Sequence, residues 1–67
     1  MIKIKLYELM GENDVTTKEI AKATGLSTTT LTNIKRKRYT NVELDTIDKL
    51  CNFFDCKIED LLEFKKN

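Results

Sequence analysis

Apolar residues recur at helical spacing along almost the whole chain. Leu6, Leu9 and Met10 step by three and four, extended backwards by Ile2, and predict a first helix. Gly11 weakens that helix and the polar run Glu12, Asn13, Asp14 ends it. Thr16-Thr17-Lys18-Glu19 has the spacing of a capping box and opens a second helix, with Ile20, Ala21 and Thr24 on its inner face. Gly25 supplies the positive φ that a tight helix exit favours, and Ser27 is a good N-cap for a third helix running to about Arg36. Thr40 to Val42 reads as a loop. Leu44, Ile47, Leu50, Cys51 and Phe54 mark one apolar face of a fourth helix. Ile58, Leu61 and Leu62 mark a short fifth, with Glu59 and Asp60 in the first turn where the helix dipole favours acids. Lys65 to Asn67 reads as a fraying tail. Ile2 to Leu6 alternates weakly, but a lone strand has nothing to pair with. The expectation is an all-α fold: a compact five-helix bundle forming one domain over residues 1–67.

The second and third predicted helices meet the steric demands of a helix-turn-helix over residues 17–36. That geometry needs a small residue where the helices touch, and Ala21 stands there. It needs a sharp turn four residues on, and Gly25 stands there. It needs apolar residues facing inward on both sides of the turn: Ile20, Leu26, Leu31 and Ile34. A generic helical hairpin shows one or two of these features, and here all fall at the right offsets.

Turning the third helix by about 100° per residue puts Thr30, Leu31 and Ile34 toward the core. Thr28, Thr29, Thr32, Asn33, Lys35 and Arg36 fill the outward arc, all short and polar or cationic. Threonine is a poor helix former, and a merely solvated face usually carries Glu, Lys or Ala. Hydroxyls and an amide can bond base edges or phosphates, threonine methyls can touch the thymine methyl, and terminal cations suit phosphates.

Charge sharpens this picture. The chain carries +1 overall, with 12 Lys and Arg against 11 Asp and Glu. Residues 1–40 hold eight cations and four anions, a net of +4, while residues 41–67 hold four and seven, a net of −3. Lys35, Arg36, Lys37 and Arg38 form the strongest local cluster, compatible with a polyanion approached from one side. Composition argues against catalysis: there is no His, one Ser, and too few glycines for a phosphate loop. Two Cys without His cannot complete a tetrahedral zinc site, so neither metal nor other cofactor is expected. Cys51 sits on the apolar stripe and reads as core, as does Cys56. On one continuous helix their thiols would point about 140° apart, which disfavours a mutual disulfide. No apolar run approaches a membrane span and no signal-peptide pattern opens the chain, so the expectation is a cytoplasmic protein with no membrane partner and no small-molecule ligand.

Four segments together resemble the Xre-type, lambda-repressor/Cro-like helix-turn-helix family, specifically its small stand-alone members. They are Val15 to Ser27, Thr30 to Arg36, Leu44 to Cys51 and Asp60 to Leu62, and the likeness runs from Ile4 to Phe64. The resemblance implies a five-helix DNA-binding fold whose third helix, here 27–36, enters the major groove. It implies a transcriptional regulator, more often a repressor, of bacterial or phage origin and associated with the nucleoid. Base-reading positions correspond to Thr28, Thr29 and Thr32. Backbone-contacting positions correspond to Thr17, where the family commonly has Gln, and to Asn33. Lys35, Arg36 and Lys37 stand where the family often has Glu and then Arg-Gly, so the glycine of the helix exit is lost and cations are gained. Lys18, Ser27, Arg38, Tyr39 and Asn41 complete the expected backbone-contacting set, with Tyr39 equally suited to packing. The implied partner is double-stranded DNA, bound by a homodimer. The rival reading is an antitoxin-like or adaptor module that meets a protein through the acidic C-terminal half, at Asp55, Glu59, Asp60 and Glu63.

Overall fold

The computed structural model describes residues 1–66, so Asn67, the last residue of the expected tail, lies outside the described residues. The elements are β1 (Ile2–Ile4), α1 (Leu6–Asn13), α2 (Thr17–Thr24), α3 (Thr28–Lys35), α4 (Leu44–Phe54), α5 (Ile58–Leu61) and β2 (Leu62–Phe64). The five helices stand where the apolar spacing places them. Their starts follow local chemistry. At α2 the Thr16 hydroxyl accepts from the Glu19 N–H at 3.2 Å, and the Glu19 carboxylate accepts from the Thr16 N–H at 3.0 Å, a complete capping box. At α3 the Ser27 hydroxyl accepts from the Thr30 N–H at 3.0 Å.

Four helices end the same way, with the residue after the helix or one beyond it in the left-handed region: Asp14, Gly25, Lys37 and Asp55. Only one of these is glycine. α3 ends in a full Schellman motif: the Lys37 N–H donates to the Ile34 carbonyl at 3.0 Å and the Arg38 N–H to the Asn33 carbonyl at 2.7 Å. α4 ends likewise, with Asp55 donating to Asn52 at 3.3 Å and Cys56 to Cys51 at 3.1 Å.

The structure departs from the pattern at both termini. Ile2 does not extend α1, and Ile2–Ile4 is not an unpaired segment. It pairs antiparallel with Leu62–Phe64 in the register Ile2↔Phe64, Lys3↔Glu63, Ile4↔Leu62. Leu62 accordingly belongs to a strand and not to the fifth helix. Lys65 is tied down as well: its N–H donates to the Met1 carbonyl and its carbonyl accepts from the Met1 ammonium, both at 2.7 Å. The partner that β1 lacked locally lies some sixty residues along the chain, beyond the reach of any local pattern.

The core is built from Ile4, Leu6, Leu9 and Met10 at the N-terminal end, Ile20 of α2, Leu31 and Ile34 of α3, Ile47 and Leu50 of α4, and Leu61 of α5. Leu44 and Ile58, expected on inward stripes, are 82% and 55% exposed. Each is the first residue of its helix and extends past the layer that its successors bury. Thr30 is also exposed, against the helical-wheel expectation. It lies in the first turn of α3, where it bonds the Ser27 hydroxyl at 2.8 Å, and only Leu31 and Ile34 reach the core.

Candidate nucleic-acid interface

Helices α2 and α3 pack through Ile20 and Leu31, both fully buried, with Ala21 and Leu26 half-buried beside them. The turn between them is held by Gly25, whose φ is 81° and whose N–H donates to the Ala21 carbonyl at 2.9 Å. Thr24, expected on the inner face of the second helix, contributes a second tie that the sequence pattern did not predict. Its hydroxyl donates to the Ile20 carbonyl at 2.7 Å and accepts from the Leu26 N–H at 3.2 Å. One side chain thus links the last turn of α2 to the first residue beyond the glycine. The available signal was a hydroxyl immediately before the turn glycine.

This packing presents the first turn of α3 to solvent. Thr28 and Thr29 are exposed there, Thr32 one turn on is half-buried, and Asn33 is exposed. Thr17 and Lys18 stand at the start of α2, half-buried and exposed respectively. Ser27 is exposed, but both functions of its hydroxyl are used on Thr30 as the helix cap. Its own N–H, at a helix N-terminus, is of the kind that suits a phosphate. Asn33, Arg38, Tyr39 and Asn41 line one open cleft of about 540 Å³ between α3 and the loop leading to α4.

The four consecutive cations differ in their surroundings. Arg36 and Arg38 are exposed. Lys37 is exposed as well and Lys35 half-buried, but both ammonium groups lean toward α1. The Lys35 ammonium lies 5.8 Å from the centre of the Tyr7 ring. The Lys37 ammonium stands 3.6 Å from one Glu8 carboxylate oxygen, and Lys3 of β1 stands 3.5 Å from the other. The oxygen facing Lys37 is shielded from solvent and accepts no hydrogen bond. Burial pushes the Glu8 carboxyl up, but a backbone hydrogen bond and the ammonium groups of Lys37 and Lys3 outweigh it and hold the group below the ordinary carboxylate value. Tyr39 is half-buried, and its hydroxyl accepts from the Ile4 N–H at 2.8 Å, so it ties the loop after α3 to β1. That hydroxyl keeps its hydrogen to donate.

Cys56 follows the end of the fourth helix, as the apolar stripe ending at Phe54 predicts. The two cysteines do not share one helix: α4 stops at Phe54, and the left-handed Asp55 folds the chain back between Cys51 and Cys56. Both are free thiols, half-buried and packed against the core. Burial pushes the Cys56 thiol up, and the neighbouring Cys51 adds to the effect. Among the described residues no helix is long and apolar enough to cross a membrane, and no group of three or more His, Cys, Asp or Glu is placed to hold a metal.

Comparison with known proteins covers nearly the whole chain. A family model described as the Cro/C1-type HTH DNA-binding domain matches residues 5–67. The chain is 30% identical over 70 aligned positions, 97% of its own length and 95% of the relative's, to the SPbeta prophage-derived uncharacterized HTH-type transcriptional regulator YopS of Bacillus subtilis (strain 168).

Proposed function

The chain belongs to the Cro/C1-type helix-turn-helix DNA-binding family, and from that premise we propose that it is a transcriptional regulator acting by sequence-specific recognition of duplex DNA. α3 lies in the major groove. Thr28, Thr29 and Thr32 meet base edges with hydroxyls and methyls. Thr17, Lys18, the Ser27 N–H, Asn33, Arg36, Arg38 and Asn41 meet the phosphates on either side and set the register. Lys35, Lys37 and Tyr39 border that track from the side of α1 and β1. A single module of this size buries little DNA surface, so two copies bind a palindromic site with half-sites about 34 Å apart. Occupying such a site blocks a promoter, and repression is the simplest regulatory outcome.

The observation that carries this reading is the first turn of α3: exposed threonines on a helix held rigidly against α2 by the Gly25 turn. The test is selection from a random duplex library with the purified protein at two salt concentrations. Enrichment of one palindromic site is the expected result. Salt-sensitive binding without an enriched site defeats sequence specificity. Absence of binding even at low salt defeats the DNA reading and favours a protein partner on the acidic C-terminal half.

A further inference from the structure

The exit of α3 is tied twice, by its own backbone bonds and by side chains of α1 outside the helix-turn-helix. Lys37 takes φ 60°, a conformation that side-chain-bearing residues seldom adopt. The Schellman bonds from Lys37 and Arg38 require that conformation, yet they supply no reason for a lysine there. α1 supplies one. Glu8 faces the Lys37 ammonium with an oxygen that has no hydrogen bond of its own and is closed off from water. Its second oxygen faces Lys3, and the adjacent Tyr7 carries Lys35 over its ring. Two neighbouring α1 residues thus meet alternate members of the cationic run, Lys35 and the exposed Lys37, while the exposed Arg36 and Arg38 alternate with them.

We propose that Glu8 is a positioning residue for DNA recognition: it clasps Lys37 in the left-handed turn, which fixes the direction in which Arg36 and Arg38 leave α3, and it withholds Lys37 from the phosphate backbone. The effect is a gain in discrimination. A lysine free to swing would add a phosphate contact to every duplex alike, whatever its sequence. A clasped one leaves backbone contact to two arginines whose origin is set by the folded turn. The assignment rests on the DNA-binding reading above, and its test separates the two.

The test measures affinity for a random-sequence duplex over a salt series. Glu8→Gln is expected to bind more tightly than the unaltered chain, with a log–log salt slope steeper by about 0.9, one added phosphate contact. Glu12→Gln makes the same change of charge on the same helix at a residue that forms no ion pair among the described residues, and is expected to leave the slope unchanged. Adding Lys37→Gln to Glu8→Gln is expected to abolish the gain. Equal slopes for Glu8→Gln and Glu12→Gln, or a gain that survives in the double variant, overturn the proposal. Thermal unfolding judges the clasp without DNA. Glu8→Gln is expected to lower Tm more in the Lys37 chain than in a Lys37→Gly background, where the turn needs no holding. An equal or larger loss in the glycine background overturns the clasp even if every duplex binds as expected. Failure of the unaltered chain to bind any duplex at low salt defeats the DNA reading and the withholding of Lys37 with it, while the melting comparison still decides the clasp.

Discussion

The two ends of α3 are both reached through left-handed residues, yet they solve the same backbone problem differently. At the entry, Gly25 takes φ 81° without a side chain to strain, and a Cβ there would meet nothing within 4 Å. The turn is sealed locally by Thr24 and Ser27, and the surface it presents is neutral and hydroxyl-bearing. At the exit, Lys37 takes φ 60° with a full side chain, closed by its own Schellman bonds and met from α1 by the Glu8 carboxylate. A left-handed non-glycine residue costs about 1–2 kcal/mol. The entry avoids that cost by residue choice. At the exit the ion pair with Glu8 offsets part of it and places a counter-charge beside the cationic run. In the function proposed above, the entry reads and the exit orients.

That contrast can be broken or sharpened by substitution. The largest effect is expected from Leu31→Ala. Leu31 is fully buried between the two ends, and its truncation should cost about 2–5 kcal/mol and free both at once, measured by urea unfolding. Next come the two functional halves. Thr28→Ala should lose about 1–3 kcal/mol of preference for a selected site over random DNA. Arg36→Ala should weaken both alike and lower the salt slope by about one. Equal losses on both duplexes for the threonine variant would remove the reading role from the entry. Gly25→Ala should cost about 1–2 kcal/mol from backbone conformation alone, since no neighbour obstructs the added methyl. Lys37→Gly should do the opposite, gaining less than about 1 kcal/mol because relief of the turn is partly cancelled by loss of an exposed ion pair. A gain at Gly25 or a large loss at Lys37 in chemical denaturation would erase the distinction between the ends.

The smallest effect is with pH. Glu8 is held below its unfolded value of about 4.5, so the stability it contributes is present above that value and fades as pH falls through the lower folded one. The stability difference between the unaltered chain and Glu8→Gln should therefore shrink on acidification through that range. A difference that stays constant would mean that the carboxylate charge does not hold the exit.

The helices, their caps and the α2–α3 turn were legible in the sequence because each depends on residues within four or five positions of one another. Thr16 with Glu19, Gly25 after Thr24, and the stripe Ile47, Leu50, Cys51 are of this kind. The outward threonines were legible for the same reason, since helical geometry assigns a face once the inward residues are known. Where the pattern misled, it was at helix ends. Leu44, Ile58 and Thr30 lie on the correct angular stripe, but each sits in a first turn with no neighbouring element to cover it. Angular position predicts burial only along the length of helix that something packs against.

By itself, then, the sequence determined the five helices, the helix-turn-helix and the polar face of α3, all consequences of short-range backbone geometry and side-chain periodicity. The tertiary structure alone decided the pairing of β1 with β2, the anchoring of Tyr39 to Ile4, and the leaning of Lys35 and Lys37, among four like cations, toward α1. Each of those joins residues about 28 or more positions apart, and contacts at that separation are set by how the packed helices bring distant segments together, which no local spacing encodes.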